Sequence, residues 1–540
     1  MPTIPLQNLG IQGLNTDVPA QALSPENFSD GLNMRPSDGS LQGVYKFPTA
    51  FDTNVTGNSA RNVLAATQWT PVGSDNFNLA YLYESSSGVV SFQVSQDVLN
   101  PISSASSVTA TTNLSLNGRF GFDFFTFNGV IIVNDGINQP IRISNNGTEA
   151  SPNYQSLYLA NWFSGAADGS AQEGIVANRV TTQRLASYNN RLVALNLSGA
   201  YLANENLGNS SLAWSTPITD INTLNGITWR YSSTNSAGDD ILTETSGQLL
   251  DAAQLGPYLI VYKDDSVYRY QDSGDPLYLV SELLFDDDGL YSPNCFEDIG
   301  GGRHFVLGNY GIYIHDGGPN KQDISQGRIQ KDIYDTVNPA HRDRTFTFRN
   351  SRDKEVWVCY SALTEHDGTS RSGTGCNFAY VYNYSSDTWY KRTINNLKGI
   401  TEGEINGQLY IYGFGTGGIF LLSNNLVSDG YARFLKQDLG NPNVTKRITA
   451  VYPMSTNTFN TTAITSSSLN DTNTVDAQFN LAFANRDNAY KRTFDPSVGS
   501  GYKKDYRLTG RYFNLEVAMS GTNNPELTGM DLEVTPSGAR

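Results

Sequence analysis

The chain has 540 residues, 39% hydrophobic and 16% charged, with 36 basic against 52 acidic side chains and a net charge of −16. That balance gives a poor grip on nucleic acid, whose phosphates are bound by Lys and Arg with release of counterions, and it is not drawn to an anionic membrane surface. No apolar run approaches membrane-spanning length. The remaining residues are rich in Asn, Ser, Thr and Gly, with 50 Gly, 30 Tyr and 25 Phe. Aromatic and β-branched residues suit pleated, half-buried surfaces, and Gly and Asn suit turns, so this is the composition of an all-β protein with many short strands.

Residues 1–45 carry Pro2, Pro5, Pro19, Pro25 and Pro36 with little periodicity and read as an extended N-terminal arm that lies on another surface. The opening MPTIPLQNLGIQGLN has no basic stretch followed by an apolar one, so no signal peptide is expected. From there one pattern recurs: strand, polar or Gly-rich turn, strand. It is written at 76–94, at 127–144 around Asn134-Asp135-Gly136, at 188–204 with Asn189-Asn190 leading in, and at 257–271 around Lys263–Ser266. It returns at 304–318 around Gly308-Asn309-Tyr310-Gly311, in the longer pair 355–393, and at 406–424 around Gly413–Gly418. Asn and Gly tolerate the positive φ of hairpin turns, which makes each a hairpin signal. About seven strand-built units with a repeat of ~40–50 residues point to a β-propeller of six or seven blades over 46–430. One small twisted sheet cannot bury both faces alone, whereas stacked around an axis such sheets bury each other. The run VYNYSSDTWYKRT, 381–393, resembles the outer part of a kelch-type blade. A large β-sandwich or a β-helix is the competing reading. Sandwiches lack such regular hairpin units, and β-helices have shorter repeats.

The segment 431–540 reads differently. The alternation in Phe513-Asn514-Leu515-Glu516-Val517 and Leu532-Glu533-Val534 has period two with one wet face. It predicts a separate C-terminal β-sandwich or barrel platform, interrupted by a polar loop or mobile tip at 459–474.

Residues able to carry chemistry are few. Cys295, Cys359 and Cys376 are odd in number with no C-x-x-C pair, which predicts buried free thiols in a reducing compartment. Of four histidines, His304, His315, His341 and His366, none has ligand spacing, although His304 and His315 bracket one hairpin and face each other if it forms. Gly413-Phe414-Gly415-Thr416-Gly417-Gly418 fits the dinucleotide fingerprint by letter, but the apolar run Ile419–Leu422 that follows is a strand rather than a helix, so it reads as a turn. Asp286-Asp287-Asp288, Asp264-Asp265 and Asp272/Asp275 lack the alternation of a calcium loop and read as solvated. Ser351, Asp353 and Trp357 make a degraded sialidase-type Asp box without its Gly and Thr. Two acids on different blades could meet as in glycoside hydrolysis, but the sequence singles out no pair. No catalytic, cofactor-binding or metal residue is assigned, and no enzymatic activity is expected.

The two ends are the most specific parts. Gly13-Leu14-Asn15-Thr16, Leu23-Ser24-Pro25, Asp30-Gly31-Leu32-Asn33-Met34-Arg35 and Asp38-Gly39 resemble the opening of the tail nozzle proteins of short-tailed (podovirus-type) phages, also called packaged-DNA stabilisation or tubular tail proteins. LGNPNVTKRITAVYP, 439–453, GRYFNLEVAMSG, and MDLEVTPSGAR resemble that family's C-terminal side. The resemblance implies a structural virion protein: a homo-hexamer below the portal and adaptor rings, beside tail fibres or tailspikes, that retains packaged DNA and conducts it during ejection. It implies a virion tail assembled in the host cytoplasm, with no catalytic residue and no cofactor. Genomic DNA would pass the bore without sequence-specific binding, and an acid-lined channel would let a duplex slide without sticking. The alternative is a glycan-binding or glycan-cleaving β-propeller of a phage tail, suggested by Trp357, Trp389-Tyr390 and the Asp box remnant.

Overall fold

The computed structural model describes residues 3–47, 62–71, 78–86, 88–95, 105–107, 114–116, 121–147, 153–159, 162–163, 180–199, 208–218, 227–229, 235–274, 278–365, 368–371, 373, 375–405, 407–422, 430–455, 478–485, 489–494, 504–520 and 526–539. The predicted loop 459–474, His366 and Asp275 lie outside them. Among the described residues the chain is nearly all β, with 60% in strands and 4% in helices. Gln330–Thr336 is the one α-helix among the described residues.

All but one of the recurring hairpins become the second and third strands of a small antiparallel sheet; in 188–204 the turn is Asn189-Asn190, between first and second strands, and the third strand is Ser211–Trp214. Sheet I is built by Asn62–Trp69, Asn78–Ser86, Val89–Ser95 and Ala105–Ser107, and sheet II by Asp123–Phe127, Val130–Asn134, Ile141–Asn145 and Tyr154–Tyr158. Sheet III follows with Thr181–Tyr188, Arg191–Ser198, Ser211–Trp214 and Gly238–Ile241. Sheet IV comprises Leu249–Leu255, Tyr258–Lys263, Val267–Gly274 and Tyr278–Phe285, and sheet V comprises Phe296–Asp298, His304–Leu307, Ile312–His315 and Lys321–Asp323. The last two units share a strand. Thr388–Ile405, 18 residues long, closes sheet VI (Phe346–Asn350, Glu355–Tyr360, Cys376–Asn383) with its first half. After a register break between Leu397 and Gly399 it opens sheet VII with Gln408–Gly415 and Gly418–Leu421. The turns are those that Asn and Gly permit: Asn189 and Asn190 sit at φ 43° and 62° between the first two strands of sheet III.

Both faces of the sheets are apolar because each meets a neighbour. In Val130–Asn134, Ile131 and Val133 point into a core shared with sheet I, while Val130 and Ile132 point into one shared with sheet III. A further core joins III to IV, and a larger one joins IV, V and VI. Tyr412, Phe414 and Ile419 of sheet VII pack with Val63, Leu79 and Tyr81 of sheet I, so the succession closes on itself.

The two ends of the chain meet. Leu527–Ala539 lies between Val444–Ser455 and Ser40–Gly43 and also pairs with Thr3–Gln7. A second sheet runs Ala489–Phe494, Gln478–Asn485, Phe513–Ser520, Gly430–Gln437, Asp30–Leu32. The predicted alternation is present: Met530, Leu532 and Val534 are buried, with Asp531, Glu533 and Thr535 half-buried between them. The predicted arm is taken up by this chain's own sheets.

Candidate functional site

The first strands of all seven sheets line one cavity of about 910 Å3. Strand alternation alone would give it an apolar wall, but five first strands place a charged residue there, and those of three adjacent sheets meet. Asp123 comes from sheet II, Arg184 from III and Asp251 from IV, each about 5% exposed or less. Arg184 Nη1 lies 2.6 Å from Asp123 Oδ1, and its Nη2 lies 3.0 Å from Asp251 Oδ2 and also bonds Asn294 Oδ1. Asp123 Oδ2 further accepts from Asn134 Nδ2 at 2.9 Å and from the Leu185 amide at 2.7 Å. Asp251 accepts from the Asn294 and Ala252 amides, both at 2.9 Å. Burial pushes the Asp123 carboxyl up to about 6, against the pull of Arg184. Burial also opposes the Arg184 charge, but the two carboxylates outweigh it and hold the guanidinium above its usual range. With their oxygens saturated, neither carboxylate is free to act as a base. The triad is a clasp across sheets II, III and IV, extended to V by Asn294.

Glu297 of sheet V is the cavity group with neutral-range chemistry. Loss of bulk water raises its carboxyl to about 8, with Arg349 lowering it and Glu402 and Asp298 adding repulsion. Glu297 is half-buried, and Glu402 Oε1 accepts the Ser351 amide at 2.6 Å.

The sequence candidates resolve as follows. His304 and His315 are directly opposite across their hairpin, with ring centroids 5.7 Å apart, and both bond the Tyr262 hydroxyl at 2.8 Å. No group of three or more His, Cys, Asp or Glu able to hold a metal occurs among the described residues. His341 bonds Ser361 Oγ at 2.9 Å. The acid clusters shape turns. Asp288 accepts from the amides of Gly289, Asn309 and Tyr310, Asp264 accepts from that of Gln248, Asp265 from that of Gly247, and Asp272 from that of Gly274. Gly413–Gly418 is a hairpin, with Gly415 opposite Gly418, and a strand follows it.

In the Asp box remnant, Asp353 is held by Arg352 at 3.2 Å and Arg35 at 3.5 Å. Trp357 and Trp389 are each 1% exposed, their Nε1 groups donating to Glu355 and to the Ile324 carbonyl, so neither offers a face to a sugar. A second cavity, about 900 Å3, lies between the N-terminal segment and the turns of sheet VI. Its Arg328 is already paired with Asp387 at 2.8 Å.

The three thiols converge on one strand end: Cys376 Sγ bonds the Arg344 carbonyl at 3.2 Å, Cys295 Sγ bonds that of Thr345 at 3.4 Å, and Cys359 is opposite Phe346. All are buried and unpaired, and burial raises every one of them. Ellman's reagent should therefore find no reactive thiol in the native chain and all three after guanidinium unfolding. Rapid reaction at native pH would show the core at Arg344–Phe346 to be open.

The clasp residues were not singled out from sequence. Their signal is a lone charge inside an otherwise apolar strand, Asp251 in LLDAAQL and Arg184 in TTQRLASY, where only a buried partner makes the charge tolerable. The chain matches no protein-family model and no curated protein.

Proposed function

We propose that the chain is a structural component of a short-tailed phage tail, a nozzle that assembles as a homo-hexamer, continues the portal–adaptor channel, retains packaged DNA and conducts it on ejection. Residues 46–430 would form a seven-bladed β-propeller, 431–540 a β-sandwich platform, and 1–45 an arm that joins the two. The observation that carries the reading is the meeting of the chain ends. The segments that resemble the family's opening and C-terminal side, some 400–500 positions apart in sequence, lie in the same two sheets: Leu41 is opposite Leu527 in one, and Gly430–Gln437 sits between Asp30–Leu32 and Phe513–Ser520 in the other. Supporting the propeller are the closed succession of cores and the single cavity lined by the first strands. A conduit needs extended surfaces rather than a reactive site.

The test is single-particle electron microscopy of the expressed chain, alone and mixed with a portal–adaptor complex. Six-fold rings, free or templated by the adaptor, are the expected result. Discs that never join the adaptor would overturn it. The second reading, a glycan-active propeller, would use Glu297, the acid that the first strand of sheet V places on the cavity. Turnover of bacterial polysaccharide that is lost in Glu297→Gln would establish that reading instead.

A further inference from the structure

Six of the seven junctions around the cavity bring first strand against first strand, from sheet I to IV and from V through VII back to I. The junction of IV and V is the exception, where Leu249–Leu255 and Phe296–Asp298 pack least closely. There, over a shared apolar core, polar side chains join the two sheets. Near the cavity Asn294 spans the junction to Asp251 and Arg184. Deeper in, Tyr262 of sheet IV reaches His304 and His315 of sheet V, and all three are buried. Arg269 of sheet IV donates to the Gly317 carbonyl at 3.1 Å, in the turn that follows His315.

The hydrogen bonds of this cluster run one way. The Gly317 amide donates to His315 Nδ1 at 3.1 Å, so the ring proton of neutral His315 is on Nε2 and is donated to the Tyr262 oxygen. Tyr262 then gives its own proton to His304 Nδ1. That leaves His304 Nε2–H buried without a well-formed hydrogen bond, turned toward the Gln254 carbonyl. Both Nδ1 atoms are thus used as acceptors. A proton added to His315 Nδ1 would face the Gly317 N–H head-on. One added to His304 Nδ1 would leave the Tyr262 hydroxyl proton with no acceptor. Either event breaks a buried hydrogen bond at the contact between sheets IV and V and so weakens it.

We propose that the junction of sheets IV and V is an acid-sensitive seam, held shut by Tyr262 between two neutral histidines and released when they take up protons.

The surroundings set its pH. Asp298 faces His304; Asp316 and Lys321 face His315. Asp251 acts on Tyr262, while Asp287 and Asp288 act on Tyr313, whose ring packs on His315. Lys321 Nζ sits 4.9 Å over the Phe285 and Tyr313 rings. Burial is the largest influence on both histidines: it brings His304 down to about 4 and, with repulsion from His304, brings His315 down to about 3. An opened seam would return them toward the ordinary histidine value, about 6.5. The closed state therefore binds fewer protons across that window, and stability is lost as pH falls through it. Each pH unit favours opening by up to about tenfold per histidine.

The experiment is hydrogen exchange by mass spectrometry on the full chain from pH 7 to 4, corrected for intrinsic rates. Amides of 258–263 and 304–315 should lose protection at a higher pH than those of 130–134 in sheet II. In the double variant His304→Gln/His315→Gln that early loss should vanish, because neither amide titrates. Simultaneous loss in all sheets, or the same early loss in the variant, would overturn the proposal. Should the variant fail to fold, exchange of the histidine C2 hydrogens in the wild-type chain decides. Protonation of His304 and His315 coinciding with amide opening supports the seam. Titration near 6.5 with the amides still protected overturns it.

Discussion

Replacing Arg184 with methionine should destabilise the sheeted body by about 3–5 kcal/mol, because it leaves two buried carboxylates facing a wall with no cation. Asp123 and Asp251 are each 5% exposed, and Asp123 already stands at about 6 with the guanidinium beside it. Without that charge its folded value rises further above its unfolded one. A carboxyl shifted that way stabilises the fold below its unfolded value and loses the contribution as pH rises through its folded value. The deficit of Arg184→Met should therefore be smaller at pH 5 than at pH 8. The measurement is the thermal midpoint at both pH values. The triple variant Asp123→Asn, Arg184→Met, Asp251→Asn should recover much of the loss, since replacing a whole buried ion group is far less damaging than breaking it. A deficit below about 1 kcal/mol for Arg184→Met, the range of solvated ion pairs, would mean that water in the cavity already hydrates these carboxylates.

Gly13→Ala should release the N-terminal segment. Gly13 has φ +82°, and its added Cβ would come within 2.5 Å of the Trp389 carbonyl oxygen, a backbone atom that cannot turn away. Gly13 pairs there with Trp389 in parallel, and the bonds that follow pin the same segment to the same strand. Asn33 accepts from the Thr393 amide at 2.8 Å, and Arg392 donates to the Tyr45 carbonyl at 2.6 Å. Strain and close contact together should cost about 2–4 kcal/mol. Limited proteolysis should then cut within residues 1–47 while the seven sheets stay resistant. Gly39→Ala is the control. It too has φ +82°, but nothing lies within 4 Å of its Cβ position. It should cost only the backbone term, about 1 kcal/mol. Equal sensitivity of the two variants would show that the approach to Trp389 does not hold the segment.

The acid response of the IV–V seam is separable from both. It should persist in Gly13→Ala, whose lesion lies on sheet VI.

What could be read from the sequence was whatever local chemistry decides. Strand alternation and Asn/Gly turns act over a few residues, so the hairpins at 127–144, 257–271 and 304–318 were legible, as was the turn at Gly413–Gly418 despite its fingerprint spelling. The facing of His304 and His315 followed from hairpin register alone. Tertiary structure decided the rest, because it concerns which distant surfaces meet. That Thr388–Ile405 serves two sheets depends on a register break beside Asn396 and Gly399 within one unbroken strand, where the sequence alone would suggest a turn. That residues 3–47 are bound by this chain's own strands depends on edges formed hundreds of positions later. Trp357 and Trp389, exposed platforms in one reading of the sequence, are core because adjoining segments cover them. Asp123, Arg184 and Asp251, spread over 129 positions, are liabilities one at a time in their strands. They become a clasp only when three sheets bring them to one point, where burial strengthens the attraction among them as well as the penalty on each alone.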